Sequence, residues 1–544
     1  MPQVPSDGLE SWKEIAAYLS RGVRTVRRWE RDEGLPVHRH VHRKLGSVYA
    51  YKSEIDAWRR TRGSPAAALP VVATAAAAPV KSIAVLPFTN LSTDAANAYF
   101  ADGLTDEVTA DLSKIRSLRV ISRTSSMTFR GSSKDVKTIA ADLSVRYILE
   151  GSVRRAGSRL RITAQLIDAS TDDHVWADSF DGTVEDVFAM QQRLATVIVD
   201  ALKLRLTADE ERRLAERPID NLPAYECYLR ARHEGWRWRK DAIDRAIHLL
   251  RDGLEIVGDN VRLYTSLGLA HLQYREAGID LTDLPLVEAE ACARKVFALD
   301  PACASGLQLR GWIHYSRGQI QEAVRDLKAA LALDPNNADS LLLLSNCYLI
   351  SGKVPLARPL LARLLSVDPL TPLSRCLPGF ADLLEGNFAA AVAPYRQMFE
   401  MDPANPMARL FYVWVLLLNH RNEDVANLVR SCPAEVQTSV PAQIALFLKH
   451  ASAGERRQAE AVVTADLEAV ATATDVFPRL LAQGYAMAGV PERAIDWLGI
   501  AVDRGFINYP FLARYDPCFE TLRSHPRFQQ LLEIVGERWE KFEG

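Results

Sequence analysis

Cysteine is sparse and unpaired: the seven stand singly at Cys227, Cys292, Cys303, Cys347, Cys376, Cys432 and Cys518, with no Cys-x-x-Cys among them. Disulfide frameworks and structural zinc sites need closer grouping, so this usage points to a reducing compartment, the cytoplasm. Long apolar runs are missing too. Residues 1–12 hold no signal-peptide core, and the best membrane candidate, residues 66–80, is short, rich in Ala and broken by Pro70 and Pro79. A spanning helix needs roughly 20 apolar residues, so the stretch reads as a linker and no membrane partner is expected. Also absent are a Gly-x-x-x-x-Gly-Lys-Ser/Thr loop, a Gly-x-Gly-x-x-Gly turn, a Gly-x-Ser-x-Gly elbow and a His-Glu-x-x-His pair. Nothing marks a nucleotide loop, a nucleophile elbow or a zinc helix. No catalytic residue, cofactor or metal is assigned, and the chain is expected not to be an enzyme.

What is present begins with a period. Asp300-Pro301, Asp334-Pro335, Asp368-Pro369 and Asp402-Pro403 lie 34 residues apart, the mark of stacked helical hairpins. Between the prolines the register repeats: Leu307, Gly311, Ala323, Leu327 and Ala330 in one unit, Leu341, Leu344, Tyr348, Ala357, Leu361 and Leu364 in the next. This pattern resembles the tetratricopeptide (TPR) repeat. It implies an all-α solenoid over residues 222–510, about eight hairpins long, with residues 511–544 as capping helices. Such arrays hold other molecules rather than react with them. A protein or peptide partner is expected in the groove. Arg237, Arg239 and Lys240, set among Trp236 and Trp238, form the densest basic-aromatic cluster of the array. Packing is its plainer role, nucleic-acid or acidic-peptide binding the sharper one.

Net charge is only −2 over 544 residues, with 48% apolar and 25% charged residues, ordinary for a soluble chain of three or more units. The balance is uneven. Residues 1–62 carry 13 Lys/Arg against 8 Asp/Glu, or +5, which leaves −7 for the remainder. A basic module on an acidic body suggests that the front end alone seeks nucleic acid. Trp12, Ile15, Ala16 and Leu19 have the spacing of one buried helix face, Ser11 stands ready to cap it, and Glu14 completes a capping box. After Gly22, Val23, Val26 and Trp29 face inward, leaving Arg24, Thr25, Arg27, Arg28 and Arg31 on the outer arc. That is a helix-turn-helix with a basic face.

Residues 24–36 are similar to the second helix of MerR-type and excisionase-type DNA-binding modules, which lies in the major groove. The resemblance implies that Arg24, Thr25, Arg27 and Arg28, with Arg31, meet bases or adjacent phosphate. Residues 37–43 and 47–51 read as the strands of a wing, with Arg43 and Lys44 on the DNA backbone and His40 near phosphate. His38, His40 and His42 share a strand face at steps of ~6.6 Å, too far apart to serve one zinc ion together. Double-stranded DNA is the expected partner of residues 1–62. One such module makes a small interface, so a homodimer is expected. No long dimerisation helix follows the wing, unlike typical MerR proteins.

Between residues 63–81, read as an Ala/Pro linker, and the repeats lies a third unit, residues 82–207. Strands over 82–88, 118–122, 145–155, 160–167 and 174–180 alternate with helices over 99–115, 135–143 and 184–206, a pattern for an α/β domain with a mixed sheet. Ile83-Ala-Val-Leu-Pro-Phe88, Tyr99-Phe-Ala-Asp-Gly-Leu-Thr105, Val120-Ile-Ser-Arg-Thr-Ser125 and Tyr147-Ile-Leu-Glu-Gly-Ser-Val-Arg154 resemble the TolB amino-terminal-like domain, also found in FlgO-type proteins. Those relatives act in assembly and interaction, and the domain recurs beside TPR arrays in bacterial regulators and cyclase-linked proteins. Asp102-Gly-Leu-Thr-Asp106 has the look of an acidic metal loop, but Asp102 is better read as an N-terminal helix residue favouring the dipole. Ser122–Ser126 with Arg123 offers a phosphate cradle, a plain strand exit being the simpler reading. The resulting expectation is a cytoplasmic, DNA-binding transcriptional regulator of three folds: winged helix-turn-helix, α/β TolB-like domain and TPR solenoid. The alternative is a TPR scaffold assembling a signalling or envelope complex.

Overall fold

The structure is a computed structural model that describes residues 8–9, 11–19, 22–23, 26–27, 30, 35–40, 47–52, 55, 81–94, 97–235 and 237–544. The chain divides into two compact units, Met1–Pro79 and Val80–Gly544. In the first, strand β1 (Gly8–Leu9) and helix α1 (Trp12–Tyr18) precede β2 (His38–His40) and β3 (Ser47–Tyr51). The sheet is antiparallel in the order β1-β3-β2, with His38 opposite Tyr49 and Leu9 opposite Ala50. Ile15, Ala16, Leu19, Val26, Leu35, Ala50 and Ile55 form its core.

In the second unit a mixed sheet runs β6-β4-β7-β8-β9, built of β4 (Lys81–Val85), β5 (Thr89–Asn90), β6 (Leu118–Val120), β7 (Tyr147–Ala156), β8 (Arg159–Asp168) and β9 (Asp173–Thr183). β4 lies parallel to β6 and β7, β5 extends β4 along β7, and β7-β8-β9 is an antiparallel meander. Helices α2 (Ala98–Ser113) and α5 (Val187–Ala201) cover one face, α3 (Arg123–Met127) and α4 (Val136–Leu143) the other. The helix expected over 184–206 is shorter: a 3-10 turn at Val184–Asp186 leads into α5, which ends at Ala201. Lys203 takes a left-handed φ of 48°, and the N–H of Leu204 donates to Val199 O at 3.0 Å, which closes α5. A capping box of Thr207 and Glu210 then starts α6 (Ala208–Ala215).

Eight hairpins follow among the described residues: α7 (Leu222–Gly235) with α8 (Lys240–Val257), α9 (Val261–Glu276) with α10 (Leu284–Leu299), α11 (Ala304–Ser316) with α12 (Ile320–Leu333), and α13 (Ala338–Ile350) with α14 (Val354–Val367). Then come α15 (Pro372–Leu384) with α16 (Phe388–Met401), α17 (Pro406–Leu418) with α18 (Asn422–Arg430), α19 (Val440–Ser452) with α20 (Arg456–Val462) and α21 (Ala465–Thr472), and α22 (Phe477–Met487) with α23 (Pro491–Asp503). Helix α24 (Pro526–Lys541) ends the fold. Each Asp of the Asp-Pro pairs is the C-cap of a second helix, where Pro stops the helix. A second mark recurs at the turn inside each hairpin. Trp238, Gly278, Gly318, Gly352, Gly386, His420, Gly454 and Gly489 all have positive φ, between 50° and 87°.

The sheet and the first repeats share one core. Leu104, Val108 and Leu112 of α2 belong to the same buried cluster as Tyr225, Tyr228 and Leu229 of α7 and as Ala289 of α10. A Cβ on Gly103 would stand 2.5 Å from Leu229 Cδ2, so α2 and α7 cross at the closest approach that only glycine permits.

Candidate functional site

The Ser11 side chain accepts from the N–H of Glu14 at 3.2 Å and its hydroxyl donates to the Glu14 carboxylate at 3.1 Å, which fixes the start of α1. Ile15 and Leu19 bury against Val26, and Trp12 packs at the margin. Of the residues expected to meet DNA, Arg27 is exposed, its guanidinium 5.2 Å over the Trp12 ring. That contact is a cation–π pairing of Arg27 with the first residue of α1. His40 lies in β2 opposite Ser47. Arg24, Thr25, Arg28, Arg31, Arg43 and Lys44 lie outside the described residues, as does the 66–80 stretch.

In the second unit the edge made by the Asp-Pro turns receives the α/β domain. The carbonyls at the C-termini of α12 and α14 face it, and a helix C-terminus attracts cations and donors. Arg116 donates to Ala332 O at 3.5 Å and Arg213 to Leu333 O at 3.2 Å. One repeat on, Arg119 donates to Ser366 O at 2.5 Å and the N–H of Ser122 to Val367 O at 2.7 Å. The buried Asp368 carboxylate then accepts from Ser122, from Ser125 at 2.7 Å, from Thr371 at 2.7 Å and from Ser374 at 2.6 Å. The phosphate cradle that Ser122–Ser126 offered as the less simple reading is not free for an anion: the hydroxyls of Ser122 and Ser125 hold the chain's own carboxylate, and Arg123 pairs with Asp106.

Asp102 is likewise an interior anchor. Burial works to raise its carboxyl, but hydrogen bonds from His233, at 2.9 Å, and Arg130 overcome this and hold it below the usual range. Burial does win at Asp106, whose carboxyl is raised in spite of Arg232 and Arg123. A clasp of carboxylates on α2 with arginines from α3, α7 and α9 thus joins the domain to the first two hairpins, Arg262 reaching Glu107 at 3.6 Å.

The opposite edge, made by the turns within hairpins, receives the carboxyl-terminal part. A Cβ at Gly318 would lie 2.6 Å from Asp503 O, at Gly352 2.8 Å from Asn508 Oδ1, and at Gly386 2.8 Å from Tyr515 Cδ1. The N–H of Ile507 donates to Ile350 O at 3.1 Å, and Asn508 donates to Leu349 O at 3.0 Å. On the inner face, Arg275 donates to Ala473 O at 2.8 Å, Tyr315 donates to Asp475, and buried Arg479 stacks between Trp414, Phe380 and Phe506 at 4.7–5.3 Å. Gln483 links Trp414 to Asp516 through bonds of 2.8 and 2.7 Å. The groove expected to take a peptide is, along α9, α11 and α15, filled by the chain itself. Residues 511–544, expected as a cap, pack on α23 through Arg527 and Asp496 at 2.8 Å and also reach back to Gln321, which accepts from the N–H of Glu543 at 3.0 Å.

The basic cluster at the first turn is neutralised. Arg237 pairs with Glu234 at 3.5 Å, Arg239 with Asp241 at 3.1 Å and Lys240 with Asp244 at 2.9 Å; Trp236 lies outside the described residues. The docking role of Gly318, Gly352 and Gly386 had a signal in their 34-residue spacing, which the Asp-Pro period overshadowed. No helix of the described residues is long and apolar enough to cross a membrane, and no group of three or more metal-ligating side chains occurs among them.

Residues 79–197 match the HilA/YgeH-like transcriptional regulator, second domain, and residues 314–374 match a tetratricopeptide repeat. A protein of Rhizobium meliloti (strain 1021) named "Putative adenylate cyclase 3" is 42% identical over 191 residues, 35% of this chain and 32% of that one. The chain thus spans about a third of the length of that curated relative. A TPR protein structure from Parabacteroides merdae ATCC 43184 aligns with 51% of this chain and 99% of its own at 13% identity and TM-score 0.33. A thermophilic TPR protein from Thermus thermophilus covers 36% and 99% at 20% identity and TM-score 0.30. This chain is therefore similar to a regulator domain in its α/β part and to TPR proteins in its repeats.

Proposed function

We propose that the chain is a cytoplasmic DNA-binding transcriptional regulator. Its amino-terminal unit would be a winged helix-turn-helix of the MerR or excisionase kind, two copies of which grip double-stranded DNA. Arg24, Thr25, Arg27, Arg28 and Arg31 would meet bases or adjacent phosphate, and His40, Arg43 and Lys44 the backbone. The α/β domain, of TolB-like kind, would be the receiver of a signal or partner. The match of residues 79–197 to a transcriptional regulator's second domain carries this reading, placed as it is directly after a separate unit of basic charge. No reaction is assigned to the chain. With the inner groove largely self-filled, a partner would meet the outer surface of the second unit.

The test is selection of bound fragments from a random duplex library by the full-length protein, beside an Arg24→Ala/Arg28→Ala variant. A motif, ideally a repeated half-site, that is enriched by the wild type and lost in the variant supports the proposal. Binding without a motif, unchanged by the substitutions, favours the second reading, a TPR adaptor, for which the repeats are the support.

A further inference from the structure

The edge made by the Asp-Pro turns gathers more arginine than its carbonyls hold. Arg116 just before β6, Arg119 within it and Arg213 of α6 each reach a carbonyl at the end of α12 or α14. A helix C-terminus welcomes cations, which accounts for these three. It does not account for Arg363 of α14. This fourth arginine stands on the solenoid side of the dock, where charge complementarity would place a carboxylate. It is exposed, and its guanidinium makes no hydrogen bond or ion pair among the described residues. Its neighbours are cations. Ser366, whose hydroxyl donates to Arg363 O at 2.7 Å, gives the carbonyl that takes Arg119, and the Asp334 carboxylate is within electrostatic reach of Arg213 and Arg363 alike.

Counter-charge is scarce here. Asp209 lies 3.1 Å from Arg213 but also pairs with Arg212, and Glu210 is spent on the Thr207 cap and the N–H of Arg116. Asp334 forms no ion pair among the described residues, one of its oxygens is buried without a hydrogen bond, and burial raises its carboxyl. Desolvation holds the Arg119 and Arg363 guanidinium groups below their ordinary range, opposed by Asp334 at Arg363 alone. All this occurs in a part of the chain whose balance is acidic, −7 beyond residue 62. Like charges drawn together and partly desolvated destabilise a fold unless an anion answers them.

We propose that Arg116, Arg119, Arg213 and Arg363 bind the phosphoryl groups of a small phosphorylated ligand. Guanidinium forks meet phosphate oxygens two at a time, and several around one site suit a diphosphate better than a single carboxylate. The site lies where the α/β domain meets the repeats, so a bound ligand ties the two together. As the signal that the α/β domain receives, such a ligand rests on the regulator reading above. Its binding does not rest on that reading and is measured without DNA.

The experiment is titration calorimetry of the full chain with inorganic pyrophosphate, sodium chloride holding the ionic strength constant. The expected wild-type result is saturable binding with a Kd of about 10–100 μM. Arg363→Ala should weaken it at least ~10-fold, the loss of one charge-assisted contact. Its melting temperature without ligand should stay level or rise, because the side chain it removes has no partner. Arg116→Ala, also a change at an exposed residue, should weaken binding as well. Arg24→Ala/Arg28→Ala should bind pyrophosphate as the wild type does, which separates this site from the basic amino-terminal unit. A wild type that does not bind, an affinity unchanged in both Arg363→Ala and Arg116→Ala, or binding lost in Arg24→Ala/Arg28→Ala overturns the proposal. Displacement of pyrophosphate by duplex DNA in that last variant would make the patch a DNA contact and overturn it too.

Discussion

Along one edge of the solenoid the Asp-Pro turns offer helix-end carbonyls and the Asp368 carboxylate, and the α/β domain answers with Arg116, Arg119, Arg213 and hydroxyls. Along the other, Gly318, Gly352 and Gly386 offer the absence of a side chain, and residues 503–515 answer by close approach. One 34-residue unit thus makes a polar edge and a steric edge, each occupied from within the same chain. A repeat residue acquires its weight from what docks on it. Asp300 and Asp402 are exposed turn formers, whereas Asp368 at the same repeat position is a buried anchor.

The sharpest way to break the contrast is to remove matched residues. Asp368→Ala strips a charged acceptor from four hydroxyls, and bonds to charged groups are worth ~1.5–3 kcal/mol each but not additively, so a loss of about 4 kcal/mol is expected in urea unfolding. Asp402→Ala should stay within ~0.5 kcal/mol. Equal losses would erase the distinction between docked and free turns.

Next is Asp516, at the seat of the carboxyl-terminal segment. Burial pushes its carboxyl up to about 6, although Gln483 and the N–H of Cys518 donate to it. An unfolded carboxyl titrates near ~3.9, so the folded state binds the proton more tightly by roughly 2 units, or about 3 kcal/mol. This contribution is complete below pH ~4 and lost as the pH rises through about 6. In Asp516→Asn the melting temperature should fall less between pH 4 and 6.5 than in the wild type, as differential scanning calorimetry would read; parallel pH profiles would refute the buried-acid account.

On the steric edge, Gly352→Ala forces a Cβ against Asn508 at φ 67°, and Gly454→Ala meets the same φ problem in open space. About 2–3 kcal/mol is expected for the first and ~1 kcal/mol for the second, the left-handed term being ~1–2 kcal/mol. Chemical denaturation midpoints of the pair would show whether docking adds anything. The smallest effect has the opposite sign. Trp238→Gly relieves the strained turn and should stabilise the chain by up to ~1 kcal/mol at a concentration where it is monomeric.

The hairpins were legible because Asp-Pro at fixed spacing reports local turn chemistry, and the α/β elements because their apolar periodicity is strong. The cap of α1 was legible for the same reason, Ser11 and Glu14 being three residues apart. The two docks were not. Ser125 and Asp368 are 243 residues apart, and nothing local in either sequence neighbourhood distinguishes a hydroxyl that holds a carboxylate from one that could hold a phosphate. Gly352 was visible as a turn glycine, but the approach of Asn508 is a property of how far the superhelix winds back on itself. The break at Lys203 escaped because the apolar stripe of α5 continues past it in the sequence.

DNA binding falls, in this proposal, to the amino-terminal unit, while the second unit is filled by its own chain. The most direct test is the salt dependence of full-length binding to duplex DNA by fluorescence anisotropy. If Arg43, Lys44 and at least two of the arginines of the reading helix meet phosphate, log K should fall against log salt with a slope of about −4 or steeper, and Arg43→Ala/Lys44→Ala should reduce that slope by about 2. A slope near zero, or one the double substitution leaves unchanged, would contradict the assignment.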